Sequence, residues 1–304
     1  MKAVRIHGYG HSDQLQVEEV ERPELTANQV FVRIHDAGVN PIDWKIREGF
    51  NKERFPIDFP ATLGQDFAGE VLAIGRAVKG FTIGDDVYGF AHGAYAEFAA
   101  VEANEIALKP KGLDFVAAAS IPTAALTAWQ CLIDVAHICK GQTILIHGAG
   151  GGVGSFACQI AKWKGARVTA TACKDDMKFL NSIGVDKIIN YKTEHFEKLV
   201  RDFDIVLDLI GGETQEKSLA LLKKGGMIVT TVGGLNQDKI AELGLVGHAM
   251  GMSKDGRGLE QIAELVNEGK IKTHVGEVLP LEAAAQAQDL LQNGHTHGKV
   301  VLHI

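Results

Sequence analysis

The residues with the clearest chemistry in this 304-residue chain lie between Gln142 and Ser155, QTILIHGAGGGVGS. Thr143 to Ile146 is a short β-branched run of the kind that forms a buried parallel strand, and Val153 to Lys164 carries apolar residues at helical spacing. Between and overlapping them, Gly148, Ala149, Gly150, Gly151, Gly152, Val153 and Gly154 form a turn of mostly small residues, Ala149-x-Gly151-x-x-Gly154. Such a turn bends tightly, lets backbone N–H groups approach a pyrophosphate, and lets helix and strand pack closely. The unpaired N–H groups at the helix start then face the phosphates. A glycine-rich connection between any strand and helix has the same composition, so its surroundings decide.

The next strand, Arg167–Ala172, ends in Ala172-Cys173-Lys174. An acid at that end would accept a hydrogen bond from the ribose 2′-hydroxyl of NAD and repel a 2′-phosphate. The turn carries none. Asp175 and Asp176 are expected in the first turn of the following helix, where acids suit the helix dipole. Lys174 and Lys178 offer cations to a 2′-phosphate, or else form a solvated helix face. Tyr191, after the third strand, can lie over the same edge of the ribose. NADPH is the expected cofactor.

A second constellation is Asn40-Pro-Ile-Asp43 with the aromatics behind it, Trp44, Phe50 and Phe55. Asn at N-cap, Pro at N1 and Asp at N3 make a helix start. Asn40 and Asp43 are also the cleft candidates, and the two roles are compatible. The aromatics either wall an acceptor pocket with flat apolar faces or belong to the core.

The elements around these residues fall into two kinds. Residues 1 to about 110 read as strands: Lys2–His7, Leu15–Val20 and the alternating QVFVRIHDA of Gln29–Ala37, then a glycine-spaced segment from Leu63 to Phe90 that suits a bent, barrel-like sheet. From Thr143 onward strands and helices alternate, with strands expected at 143–147, 167–172, 187–190, 203–209 and 226–232 and a further one near Leu243–Ala249. That alternation is a doubly wound parallel sheet. A helix at Leu259–Asn267 extends it, and the tail ends in a strand at Lys299–His303. The formal net charge of −7, with no basic block, argues against a general nucleic-acid or anionic-membrane binder. Four cysteines without CxxC spacing read as reduced residues. The opening MKAVRIHGYG has no signal-peptide core, and no apolar run is long enough to span a membrane, so the expected address is cytoplasmic.

Five segments carry a family likeness: AGVNPID (37–43), LGQDFAGEVLAIGRAVKGFTIGDDVYG (63–89), IPTAALTAW (121–129), HGAGGGVG (147–154) and GHTHGKVVL (294–302). With these the chain resembles the medium-chain dehydrogenase/reductase superfamily and, within it, the zinc-free, zeta-crystallin-like NADPH:quinone oxidoreductases. The resemblance implies an α/β fold in which a Rossmann-type doubly wound parallel sheet is inserted in a β-rich, GroES-like barrel domain. Residues 1–122 and 270–304 would form the GroES-like catalytic domain and 123–269 the Rossmann NADPH-binding domain. It also adds Thr127, Val232 and Gly298 to the expected cofactor contacts, with Asn40. Zinc-dependent relatives have a cysteine where this chain has Asn40 and a His-Glu pair where it has Gln65-Asp66. Amides are poor zinc ligands, and 90–115 holds no cysteine for a structural zinc, so no metal is expected.

The implied activity is hydride delivery from NADPH to a quinone or small α,β-unsaturated carbonyl compound. Two alternatives stand beside it. A 2-enoyl thioester reductase of the same superfamily would carry a tyrosine acid where this chain has Phe50, leaving only Tyr9 or Tyr95 to replace it from elsewhere. A non-catalytic NADPH-binding sensor or structural protein would use the same glycine turn. Members of the family commonly pair the last strand of the nucleotide sheet across a two-fold axis, and a homodimer is expected here.

Overall fold

The computed structural model describes residues 1–50, 52–53, 56–294 and 296–304; the expected pocket residue Phe55 lies outside them. The chain forms two compact units, one of residues 1–123, 254–268 and 273–304, the other of residues 124–253 and 269–272.

The first unit is built mainly on antiparallel strands, with Val275–Pro280 parallel to Lys299–His303. Lys2–Ile6 pairs with Gln16–Glu19 on one side and Ala61–Thr62 on the other. A larger sheet runs in the order Val275–Pro280, Lys299–His303, Gln29–Val39, Asp66–Ile74, Asp86–Phe90, Ile106–Leu108, and Phe98–Glu102 also pairs with Gln29–Val39. The alternation of QVFVRIHDA appears as alternating burial, with Val30, Val32 and Ile34 in the core. Gly69 shows why this segment is rich in glycine: a Cβ there would lie 2.1 Å from the Arg33 carbonyl oxygen of the neighbouring strand. Pairing between these two strands shifts register between Phe31 and Val32 and again between Ile34 and Asp36, which bends the sheet.

The helix Gly256–Asn267 clusters with this first unit, although its place after the alternating segment assigned it to the nucleotide domain. The reason is packing. Tyr88 Oη donates to the Leu259 carbonyl at 2.6 Å, and Gly256 lies so close to the Ile106 and Asn104 carbonyl oxygens that a Cβ would come within 2.6 and 2.8 Å of them.

The second unit holds a six-stranded parallel sheet. Its strands lie in the order Lys187–Asn190, Arg167–Ala172, Thr143–Ile146, Phe203–Asp208, Leu222–Thr230, Val246–Ala249, so the third comes first, then the second, first, fourth, fifth and sixth. That order is two mononucleotide-binding halves that meet where it reverses, beside Thr143–Ile146. Three details differ from the sequence reading. The apolar run Thr123–His137, which reads as one helix, is instead Pro122–Trp129 continued by a π-helical segment Gln130–Val135, whose exit is closed by Ala136 N–H on the Cys131 carbonyl. The fifth strand begins at Leu222, four residues early. An unanticipated helix, Gln237–Glu242, capped by Asn236 on Lys239 N–H, leads into the sixth strand. Among the described residues no helix is long and apolar enough to cross a membrane.

Candidate functional site

The glycine turn follows the first strand of the parallel sheet and is pinned from both sides. His147 N–H donates to the Leu207 carbonyl and Ala149 N–H to the Thr171 carbonyl. Gly148 has φ +70°, a region that favours glycine, and its open face meets Ile210. Gly151 caps the helix Gly152–Trp163, so the N–H groups of Gly152, Val153 and Gly154 have no intrahelical acceptor. Gly154 presses on the strand end: a Cβ there would stand 2.3 Å from the Gly148 carbonyl oxygen and 2.6 Å from Ala149 Cα. These residues form a cradle that fits a pyrophosphate, and the approach at Gly154 leaves no room there for a side chain. Behind the turn, His147 is buried between Thr171 Oγ1 and Ser218 Oγ, and burial lowers its pKa to about 4. It is a neutral post that supports the turn.

On one side of this turn stands a buried carboxylate that the sequence reading did not single out. Asp208 Oδ1 accepts from the N–H groups of Ile210 and Gly211, and Oδ2 accepts from Gln215 Nε2 and Thr230 Oγ1. The network fixes the loops after the fourth and fifth strands. Each presents an apolar side chain to the surface, Ile210 and the expected Val232, and Gly211 lies against Val232. Tyr191 is exposed beyond the third strand, with its N–H on the Ala172 carbonyl, so it flanks the end of the second strand as expected. Lys174 and Lys178 are both exposed near that end, and Thr127 is buried in the helix Pro122–Trp129.

Asp176 requires a correction. The helix begins at Met177, so Asp175 and Asp176 belong to the turn, and the turn is not free of acids. Asp176 sits at the helix N-cap but makes no cap bond. Its carboxylate accepts instead from Cys173 Sγ and lies against Gly150.

In the first unit Asn40 and Asp43 sit at the start of the helix Pro41–Arg47, both buried. Asn40 N–H donates to Asp43 Oδ2 at 2.7 Å, which is the expected use of Asp at N3. The same oxygen accepts from Tyr95 Oη at 2.9 Å. Asn40 Oδ1 accepts from Lys299 Nζ at 2.5 Å, and the same ammonium donates to the Val39 carbonyl. Asp66 lies 3.9 Å from Lys299 Nζ and accepts from the N–H and hydroxyl of Thr123. It therefore caps the helix that begins at Pro122. Burial raises the Asp66 carboxyl above its ordinary value and lowers Lys299, while their mutual attraction works the other way. Gly298, with φ +79°, turns the chain just before Lys299, and a Cβ there would meet the His274 carbonyl oxygen at 2.5 Å. Trp44 is half-buried and meets the exposed Phe50 edge to face at 5.7 Å.

Tyr95, named above as a substitute acid, has its hydroxyl hydrogen on Asp43. Burial, then the neighbouring carboxylate, pushes its pKa well up. Tyr9, the other, receives a hydrogen bond from Ile57 N–H.

The geometry also tests whether this cluster suits zinc. Of the residues at the positions that hold metal in zinc-dependent relatives, Asn40 presents its oxygen to an ammonium and Asp66 is engaged by Thr123 beside the same ammonium. A dication would face the charge of Lys299 and find neither thiolate nor imidazole. The donor set does not fit.

Asp43 carries a pH dependence. Burial raises its pKa from 3.8 to about 7, so between those values the folded chain holds a proton that the unfolded chain releases. Its contribution to stability is present below the unfolded pKa and is lost as pH rises through the folded one, at up to about 1.4 kcal/mol per pH unit. Urea unfolding at pH 5 and pH 8 should show the wild type losing more stability over that interval than Asp43→Asn. Equal losses in the two proteins would refute it.

A parallel sheet with a pyrophosphate cradle, together with a separate antiparallel barrel-like unit, defines a nucleotide-dependent dehydrogenase or reductase. Residues 26–111 match the alcohol dehydrogenase GroES-like domain family, and residues 183–302 match the zinc-binding dehydrogenase family. The chain is 35% identical to the mitochondrial NAD(P)H oxidoreductase RTN4IP1 of Mus musculus, over 100% of this chain and 89% of that protein. It is 33% identical to the chloroplastic NADPH-dependent alkenal/one oxidoreductase of Arabidopsis thaliana, over 100% of this chain and 79% of that one. The quinone oxidoreductase structure from Coxiella burnetii matches with a TM-score of 0.92 and 34% identity, over 100% of this chain and 99% of that chain. The chain belongs to the medium-chain dehydrogenase/reductase superfamily, among its NADPH:quinone oxidoreductase-like members.

Proposed function

We propose that the chain is an NADPH-dependent reductase of quinones or small α,β-unsaturated carbonyl compounds, working without zinc. The observation that carries this reading is the cradle of Gly148 to Gly154, where a Cβ at Gly154 would collide with the strand end. The names of the relatives support the acceptor class. When bound, NADPH supplies the hydride, and an electron-poor acceptor takes it with a proton.

The work of the protein is binding and orientation. The N–H groups of Gly152, Val153 and Gly154 hold the pyrophosphate. Lys174 and Lys178 meet the 2′-phosphate, Tyr191 covers the adenosine edge, and Ile210 and Val232 give the cofactor an apolar side. Asn40 and Asp43, anchored by Lys299 and Tyr95, present a rigid polar face, and Trp44 with Phe50 offers flat apolar surface to a planar acceptor. Phe50 has no proton to donate, which disfavours the enoyl-thioester alternative. All four cysteines are free thiols, which suits a reducing compartment, the cytoplasm in this reading.

The test is NADPH oxidation measured against quinones, enones and a 2-enoyl thioester, before and after dialysis against a strong chelator. Acceptor-dependent oxidation with quinones or enones, unchanged by the chelator, is expected. Activity that disappears with the metal would refute zinc independence, and no oxidation with any acceptor would leave the sensor reading in its place.

The same reading includes a homodimer. The edge strand Val246–Ala249 pairs only with Leu222–Thr230 among the described residues, and Val246 and Leu243 are exposed. An apolar edge of that kind is normally covered or paired. Sedimentation at micromolar concentration should give twice the monomer mass of 32.7 kDa, and Val246→Pro should weaken the association by removing a ladder donor. A monomer would rule the dimer out, and an undisturbed dimer in the variant would place the interface elsewhere.

A further inference from the structure

Asp208, at the end of the fourth parallel strand, is a buried carboxylate without a counter-ion. It is 0% exposed and, among the described residues, pairs with no cation. His147, which feels its charge, is kept neutral by burial. The four partners of Asp208 all donate. Ile210 and Gly211 N–H bond to Oδ1 at 3.0 and 2.9 Å, and Gln215 Nε2 and Thr230 Oγ1 to Oδ2 at 2.9 and 3.0 Å. Thr230 Oγ1 also takes the Val232 N–H at 3.3 Å, so its own hydrogen points at Asp208. None of these groups accepts from the carboxyl, and the geometry is that of an ionised one. Holding two loops together does not need that charge, because an asparagine oxygen would accept from the same two N–H groups. Burying a carboxylate away from any cation is costly, so the charge itself calls for a use.

The two loops that Asp208 holds follow the fourth and fifth strands, which lie on the opposite side of the first strand from the second. A Cβ on Gly148 would lie 3.1 Å from Ile210 Cδ1, and one on Gly211 3.0 Å from Val232 Cγ2, so the glycine turn, Ile210 and Val232 adjoin one another. In a sheet of this order one mononucleotide half lies over the first three strands and the other over the fourth to sixth. The adenosine half belongs to the former and the nicotinamide half to the latter, beside Ile210 and Val232. Loss of hydride leaves a positive charge on the nicotinamide ring. We infer that Asp208 is an electrostatic positioning residue, whose fixed negative charge under the two loops favours the oxidised, cationic nicotinamide over the reduced, neutral one. It thereby makes the bound cofactor a stronger reductant. The inference deepens the nucleotide-binding reading of the glycine turn and rests on it. Asp208 is fully buried and acts through its field and through the loops it holds.

The experiment is calorimetric titration of the full chain with NADP⁺, NADPH and adenosine 2′,5′-bisphosphate, which gives the ratio of oxidised to reduced affinity and measures the adenosine half alone. Asp208→Asn keeps the shape and removes the charge. It should weaken NADP⁺ relative to NADPH by about threefold to tenfold and leave the bisphosphate unchanged. Asp208→Asn/Gln215→Glu restores one negative charge to the same network and should bring the ratio back toward wild type. Gln215→Leu is the control for shape: it loosens the same loops but keeps the carboxylate, so both nicotinamide forms should weaken alike. Asp208→Ser, also uncharged, replaces the asparagine variant if that one does not melt cooperatively. A ratio unchanged in the uncharged variant overturns the inference, as does an equal shift in Gln215→Leu, which would trace the effect to loop shape. A wild type that binds none of the three compounds refutes the nucleotide-binding reading itself.

Discussion

Lys299→Met should destabilise the chain by about 3–5 kcal/mol, the range for removing one partner of a buried ion pair. Lys299 is 6% exposed, and its ammonium serves the Val39 carbonyl, Asn40 Oδ1 and the Asp66 carboxylate. A methionine fills a similar volume but leaves an unpaired carbonyl, an unpaired amide oxygen and an uncompensated acid. The loss should be partly reversed in Lys299→Met/Asp66→Asn, because the second change removes the stranded charge, and Thr123 keeps an acceptor. Urea unfolding of the two single variants and the double variant gives the coupling energy directly. A single-variant loss under about 1 kcal/mol would show that Lys299 behaves as a surface lysine does.

Gly154→Ala should be the most damaging single change to the cofactor cradle. One added carbon would stand 2.3 Å from the Gly148 carbonyl oxygen and 2.6 Å from Ala149 Cα, and both are backbone atoms that cannot rotate away. The helix must move off the strand, and overpacking of this kind costs about 1–3 kcal/mol. The same displacement takes the N–H groups of Gly152 and Val153 away from the phosphates, so NADPH affinity should fall by at least about tenfold, the equivalent of one hydrogen bond to a charged group. Gly251→Ala is the control, since nothing lies within 4 Å of a Cβ there. It should leave both quantities unchanged. Wild-type NADPH affinity in Gly154→Ala would mean that the cradle does not hold the pyrophosphate.

The parallel sheet was legible because its signals are local. Arg167–Ala172 and Lys187–Asn190 lie where the sequence placed them, and Gly154 of the turn meets the close approach that the motif implies. The polar cluster of the first unit was half legible. Asn40 and Asp43 announce a helix start at fixed spacing, but Lys299 joins them from 259 residues away. Nothing local distinguishes Lys299 from a surface lysine except its place in an otherwise buried apolar strand, KVVL, and that was the available signal. Asp66 entered the sequence reading only as standing, with Gln65, where zinc-dependent relatives carry a His-Glu pair, and its employment as a helix cap needs the fold. Asp176 was misread for a related reason. Proximity in sequence assigned it to its own helix, and a tertiary contact with Gly150 and Cys173 claimed it instead.

The route of the chain has a consequence for how it is made. The strand Gln29–Val39 has one flank completed by Asp66–Ile74, whose residues follow soon after it. The partner for part of its other flank is Lys299–His303, with Val39 opposite Val300 and Asp36 opposite His303. On a ribosome, the parallel sheet has all of its strands once Ala249 has emerged, while that flank of the barrel still faces water with open N–H and C=O groups. Lys299–His303, made after every strand of the parallel sheet, is thus the closing stave of a barrel begun before that sheet. A nascent chain halted in the segment between them would carry a finished nucleotide sheet and an unfinished barrel, with an unsatisfied strand edge available to chaperones or to other chains.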